Sequence, residues 1–207
     1  MARAIVILSE CPVPLEGTVE VPAQLIVLSL PSLIYIAIRS LRGHPMCASR
    51  SNVGWTLCKW SDVLWAVAVY AVVAVMALAA FKFIPEEMLA GSSAYSGWPL
   101  NLTSVLAVLL REAFYVALGE EVFFRGFLGG WLIRSLGFGW GNLVQAAVFL
   151  LPHLLLLNLG AGIWSIFIVQ FAAGWLQGWL RHRSGSILPG WLVHTLSNIS
   201  SAVSVMR

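Results

Sequence analysis

Residues 63–81 read VLWAVAVYAVVAVMALAAF, a stretch without a single charged or amide side chain. An apolar run of about 20 residues is long enough to cross the hydrocarbon core of a bilayer as an α-helix. Of the 207 residues, 59% are hydrophobic and 10% are Asp, Glu, Lys or Arg, whereas soluble domains carry about 25% charged residues. A soluble fold of this size could not bury so much apolar surface, so lipid is expected to be its main solvent.

Five further apolar runs flank this segment. Three glycines at 137, 139 and 141 separate the third run from the fourth. Since one crossing takes about 20 residues, the length of the chain suits six crossings. The sequence therefore predicts an all-α, polytopic membrane bundle of about six transmembrane helices, folded as a single domain of residues 1–207. The other five runs are 21–38, 102 to the glycines, 143–157, 163–180 and 187–205.

The charged residues between the runs predict the orientation in the membrane. Basic residues follow the first, third and fifth runs, whereas Glu86 and Glu87 follow the second. Because Lys and Arg collect on the cytoplasmic side of membrane proteins, the N-terminus is expected outside. The same loops account for the net charge of +3, so we expect no nucleic-acid partner. The opening MARAIVILSE is too short an apolar run for a signal-peptide core, and we expect no cleaved leader.

The segment GEEVFFRGF, residues 119–127, places charges inside the third run. A charge at mid-bilayer costs at least about 2.5–3.5 kcal/mol on insertion scales, so such residues are functional candidates. In a helix, Glu121 and Arg125 are i and i+4 and can pair, while Glu120 is turned about 100° away. Glu120 is therefore a candidate general base. The alternative is a purely structural ion pair between helices.

A histidine in the fourth run is predicted to lie at the depth of Glu120. His153 follows Gly137 by 16 residues and Glu120 precedes it by 17. If the two runs form an antiparallel hairpin about the glycines, the two side chains are close enough to share a water. Phe149, one turn before His153, can pack on its imidazole. The alternative is a histidine satisfied within the core.

The sixth run contains two more polar side chains, His194 and Asn198, at i and i+4 on one helix face. Two donors on one face suit an oxyanion, which needs hydrogen bonds where negative charge develops. The alternative is interhelical hydrogen bonding without catalysis. Arg111 and Glu112, about two turns before Glu120, are expected to be supporting or interfacial residues.

These residues carry a family resemblance. EEVFFR at 120–125, FLLPH at 149–153 and HTLSN at 194–198 are similar to the EExxxR, FxxxH and HxxxN motifs of the CPBP family, in that order. This family contains the CAAX prenyl endopeptidases and the Abi, or bacteriocin-processing, proteins. The resemblance covers about residues 100–205, and the two helices expected in residues 1–100 match no assigned pattern.

The resemblance implies a glutamic-type intramembrane endopeptidase with a catalytic helical core in residues 101–205. It makes Glu120 the general base that activates water, with His153 assisting. It assigns the stabilisation of the oxyanion to His194 and Asn198. No serine or cysteine is placed by a motif as a nucleophile.

The resemblance also bears on supporting residues and cofactors. It implies that Glu121 and Arg125 brace the motif helix. The family has also been interpreted as zinc-dependent, with the glutamate and the histidines as ligands, and the residue types permit this. Because no HExxH is present and Asn198 is a poor zinc ligand, we expect no metal and no other cofactor.

The expected partners are the lipid bilayer and a membrane-anchored protein or peptide, cleaved near its C-terminal tail or leader in a cavity between the third, fourth and sixth runs. The candidate substrates are a prenylated CAAX tail, a bacterial peptide leader and the C-terminal anchor of a surface protein. We expect the protein itself to be a multi-pass protein of a prokaryotic plasma membrane. One alternative is a non-enzymatic immunity factor, scaffold or chaperone that binds peptides. Another is a proton-coupled transporter with Glu120 and Glu121 as its relay.

Overall fold

A computed structural model describes residues 20–85, 94–159 and 161–207. The first long helix is α1 (Glu20–Leu41), followed by the short α2 (Met46–Asn52) and the long α3 (Trp60–Phe81). The two long helices correspond to the first two apolar runs. Glu86 and Glu87, on which the predicted orientation partly rests, lie outside the described residues.

The third apolar run forms a helix that contains two π-helical segments. It begins after Asn101, whose side chain accepts a hydrogen bond from the Ser104 N–H at 2.9 Å and so caps the helix. Sequence analysis predicted a helix here but not the wider π turns, which occur often at functional sites. The segments in order are α-helical Leu102–Leu110, π-helical Arg111–Ala117, α-helical Leu118–Glu120, π-helical Glu121–Leu128 and α-helical Gly129–His153.

Gly137 divides the last of these segments into two helices, which we call α4 (102–136) and α5 (138–153). Its φ of 75° and ψ of 168° interrupt the helix, and glycine adopts this backbone conformation without steric cost. The chain then folds back on itself. This is shown by the rings of Phe124 in α4 and Phe149 in α5, which pack edge to face with centroids 5.1 Å apart. The predicted hairpin about the glycine turn is therefore confirmed.

Two more helices complete the described chain, α6 (Trp164–Ser184) and α7 (Leu188–Val205), with 3₁₀ turns before α6 at Leu154–Leu159 and Ala161–Ile163. No strand occurs in the residues that the structure describes. The predicted all-α bundle is confirmed.

Three stretches are long and apolar enough to cross a membrane: Ala23–Leu41, Trp60–Phe81 and Leu102–Leu157, the last of which is folded back at its glycine turn. Their outward surfaces are apolar, with many exposed leucine, valine, isoleucine and tryptophan side chains, as expected of a surface that faces lipid. α6 and α7 do not meet the same criterion, and both carry inward polar side chains such as Gln177 and His194.

The two long N-terminal helices pack on opposite sides of the family-like core. α1 lies against α4, where the Ser32 hydroxyl donates to the backbone carbonyl of Val122 at 3.2 Å. Gly119 permits this approach, since a Cβ there would lie 3.2 Å from the Leu25 backbone. α3 packs against α6 and α7 through a buried apolar cluster, which comprises Ala66, Val69, Val73, Ala173, Leu180 and Val193. α1 thus flanks α4, and α3 flanks α6 and α7.

Candidate active site

Glu121 is the centre of a fully buried charge cluster. Its Oε1 lies 2.9 Å from Arg125 Nη1 and 3.1 Å from His194 Nδ1, and the side chains of Glu121 and Arg125 are 0% exposed. The guanidinium of Arg125 also lies over the ring of Phe149, with Cζ 3.9 Å from the centroid. The i,i+4 ion pair predicted from the sequence is present. The opposite charges of the pair offset each other where water is excluded.

Glu120 points to a different side of α4 and is less buried, with 16% of its side chain exposed. Its Oε2 lies 3.7 Å from His194 Nε2, and its Oε1 accepts a hydrogen bond from Gln24 Nε2 at 3.3 Å. The His194 ring therefore lies between two carboxylates. A separation of 3.7 Å is too long for a direct hydrogen bond.

His153 lies on the other side of Phe149 from the charge cluster. Its Nδ1 donates a hydrogen bond to the backbone carbonyl of Phe149 at 2.9 Å, and this leaves Nε2 free to accept one. The Phe149 centroid is 4.8 Å from that of His153 and 6.0 Å from that of His194. His153 also interacts electrostatically with Glu120 and His194. The two histidines thus pack on one aromatic ring, and Glu120 faces one of them, His194.

Asn198 lies one turn beyond His194 and contacts a third carboxylate. Its Nδ2 donates to Glu112 Oε2 at 3.0 Å. Glu112 is buried and also accepts hydrogen bonds from the Tyr95 hydroxyl and from Arg111 Nη1. One N–H of Asn198 is committed to this contact, and its second N–H remains available to another acceptor.

Sequence reasoning missed one residue that contacts the candidate side chains and expected another. Gln24 of α1 was not singled out, although it is an amide in an otherwise apolar run. Glu112 was expected to be a supporting or interfacial residue, and its contact with Asn198 agrees with a supporting position. In both cases the available signal was a polar group inside a membrane-length segment.

A cavity of about 200 Å³ reaches His194 and Asn198. We expected a cavity between the third, fourth and sixth runs, but this one lies between α3, α6 and α7, with Phe149 at one end. Neither Glu120 nor His153 lines this cavity.

Gly190 of α7 makes room for the Glu121 carboxylate, since a Cβ there would lie 2.6 Å from Glu121 Oε2. We expect Gly190→Ala to displace the carboxylate and to lower the free energy of unfolding by about 1–3 kcal/mol, measured by thermal unfolding in detergent. Gly139→Ala is the matched control, because nothing lies within 4 Å of its Cβ position. If both variants unfolded at the temperature of the unsubstituted protein, the close packing of Glu121 on α7 would be disproved.

The described residues include no group of three His, Cys, Asp or Glu side chains placed to hold a metal ion. His194 directs one ring nitrogen at Glu121 and the other at Glu120, and His153 commits Nδ1 to a backbone carbonyl. A zinc site of three protein ligands needs nitrogen and oxygen donors that converge on one point. Metal independence therefore stays a prediction.

Comparison with known proteins supplies the family. Residues 101–200 match the family model described as type II CAAX prenyl endopeptidase Rce1-like. The chain has no match among curated proteins or among solved structures. The matched segment contains the three motifs at 120–125, 149–153 and 194–198, so the resemblance inferred from them is confirmed. Residues 101–200, just under half of the chain, are therefore similar to the Rce1-like type II CAAX prenyl endopeptidases, a family of proteases.

Proposed function

We propose that this protein is an intramembrane endopeptidase that hydrolyses a peptide bond near the C-terminal tail or the leader of a membrane-associated protein or peptide. One observation carries the proposal: the Glu120 carboxylate faces a histidine at 3.7 Å, while the adjacent Glu121 is paired with Arg125. The family match supports a protease, and the geometry supports Glu120 as its base.

In the proposed first step, Glu120 removes a proton from a water molecule, and the water oxygen forms a bond to the scissile carbonyl carbon. His153 orients this water, because its Nε2 is free to accept the second hydrogen. Glu120 then passes its proton to the amide nitrogen as the C–N bond breaks. The products are a carboxylic acid and an amine, and one water is consumed.

We propose that His194 and Asn198 stabilise the oxyanion formed in the first step. His194 donates Nδ1–H to Glu121 and, when doubly protonated, donates from Nε2 to the oxyanion. Asn198 contributes the N–H that Glu112 does not bind.

We also infer that the chain crosses the membrane several times, with its basic connections in the cytoplasm and its N-terminus outside. Three of these connections contact one another in the structure. Arg134 donates to the Asn52 carbonyl at 2.8 Å, Arg181 donates to the Ser51 carbonyl at 3.0 Å, and Thr56 donates to the Gly185 carbonyl at 2.9 Å. Connections that touch lie on one side of the membrane, as the positive-inside rule requires.

The test is cleavage by the purified protein in liposomes. The candidate substrates are a prenylated CAAX peptide, a leader peptide and a C-terminal membrane anchor, each followed by mass spectrometry. We expect one of them to be cut at a single bond, with the rate unchanged by EDTA or phenanthroline. Loss of cleavage in chelator that zinc restores would reject the metal-free mechanism, and no cleavage of any tail would reject the protease.

Glu112 is proposed as a positioning residue that holds Asn198. We expect Glu112→Gln to lower kcat by about tenfold with little change in KM, because a charge-assisted hydrogen bond is replaced by a weaker neutral one. The same substitution made in Asn198→Ala is expected to lower kcat no further, since the residue it positions is already gone. A further loss in the double variant, or a change confined to KM, would contradict this role.

A further inference from the structure

The cavity beside His194 has one polar and one apolar wall. The polar side chains come from α6 and α7, and Ile166, Val169 and Ala173 of α6 line the cavity beside them; these polar side chains are Gln170, Gln177, His194, Ser197, Asn198 and Ser201. α3 supplies much of the apolar wall, with Val73, Ala77 and Ala80 on one helix face at i, i+4 and i+7. Six polar side chains on a single wall are unusual for a void within a membrane protein, where an apolar cavity would stay dry.

Two atoms of the polar wall are buried and have no hydrogen-bond partner among the described residues: Gln177 Oε1 and Ser197 Oγ. Gln177 is 2% exposed, so bulk solvent does not satisfy it. Buried polar groups in folded proteins nearly always have a partner, and where protein does not supply one, water does. A volume of about 200 Å³ has room for several waters, since one occupies about 30 Å³ in the liquid.

The polar side chains of α7 lie in a row along the helix axis. His194, Ser197, Asn198 and Ser201 are spaced i, i+3, i+4 and i+7 and form one stripe along α7. The stripe runs about 10 Å along the helix axis, from buried His194 to exposed Ser201. Its exposed end points away from the basic connection that precedes α7.

From these observations we propose that the cavity between α3, α6 and α7 is filled with water and supplies the hydrolytic water to the catalytic residues through the His194 end. This inference rests on the proposed function for its final step. It gives α3, which lies outside the family-matched segment, the role of keeping the reservoir open with small side chains.

Thiol labelling tests whether the cavity contains water. In a background with Cys11, Cys47 and Cys58 changed to serine, Ala77→Cys is compared with Leu78→Cys, which is its neighbour on α3 and is 66% exposed toward lipid. A charged methanethiosulfonate reacts with the thiolate, which forms only in contact with water. We expect Ala77→Cys to react roughly tenfold faster or more in liposomes. Equal rates, whether fast or slow, would overturn a water-filled cavity.

Cleavage kinetics test whether the water is used. Ala77→Phe fills the cavity and is expected to lower kcat about tenfold or more with a smaller change in KM, whereas Leu78→Phe is expected to leave both unchanged. Undiminished kcat in a folded Ala77→Phe variant would overturn the supply role and leave the protease assignment intact. If the unsubstituted protein cleaves no tail, both the proposed function and the supply role fail. The labelling rates then still show whether the cavity contains water.

Discussion

Glu120→Gln is expected to reduce kcat by a factor of about 10²–10⁴, the usual contribution of a positioned general base. Glutamine has nearly the same shape and keeps an oxygen that can accept the hydrogen bond from Gln24, but it cannot take a proton from water. The loss should therefore appear in kcat, with the unfolding temperature nearly unchanged. Initial rates of tail cleavage in liposomes measure the effect.

Glu112→Gln serves as the matched control for this substitution. It makes the same chemical change on the same helix, in a carboxylate that contacts Asn198 rather than His194. Its expected loss of about tenfold is smaller, because it acts through a positioned side chain. Undiminished turnover in Glu120→Gln, or a loss equal to that in Glu112→Gln, would rule out Glu120 as the base.

Arg125→Met is expected to lower the free energy of unfolding by about 3–5 kcal/mol, because it leaves the charge of Glu121 buried without its cation. Methionine is a flexible side chain that fills much of the same space. The substitution also removes the guanidinium from the face of Phe149, where it lies 3.9 Å from the centroid. Thermal or denaturant unfolding in detergent measures the loss.

A double variant and an ion pair with one partly exposed partner provide the controls. Glu121→Gln combined with Arg125→Met removes both charges and is expected to recover part of the lost stability. Arg183→Met breaks a partly exposed pair with Asp62, in which the nitrogen and oxygen lie 3.8 Å apart, and should cost less than about 1 kcal/mol. Arg125→Met unfolding at the same denaturant concentration as Arg183→Met would show that the buried pair does not stabilise the core.

Local sequence patterns were sufficient to predict the parts of the site that lie on one helix or on one hairpin. The Glu121–Arg125 pair followed from helical spacing, and the facing of α4 and α5 followed from the glycines that separate two apolar runs of similar length. The packing of Phe149 on His153 followed from the same spacing. Each of these relations depends on residues that are close in the chain or symmetric about a turn.

The contacts between distant helices could not be predicted in this way. Gln24 and Glu120 are 96 residues apart, and Asn198 and Glu112 are 86 apart. Which helices become neighbours depends on packing across the whole bundle, which helical periodicity does not encode.

We propose that Glu120 of α4 and His153 of α5 act together on one water. The kcat of Glu120→Gln, of His153→Ala and of the variant that combines them tests this. Substitutions of residues that act in a single step have non-additive effects on kcat. The combined variant is therefore predicted to be about as slow as Glu120→Gln alone. Independent losses that multiply in the combined variant would contradict the claim.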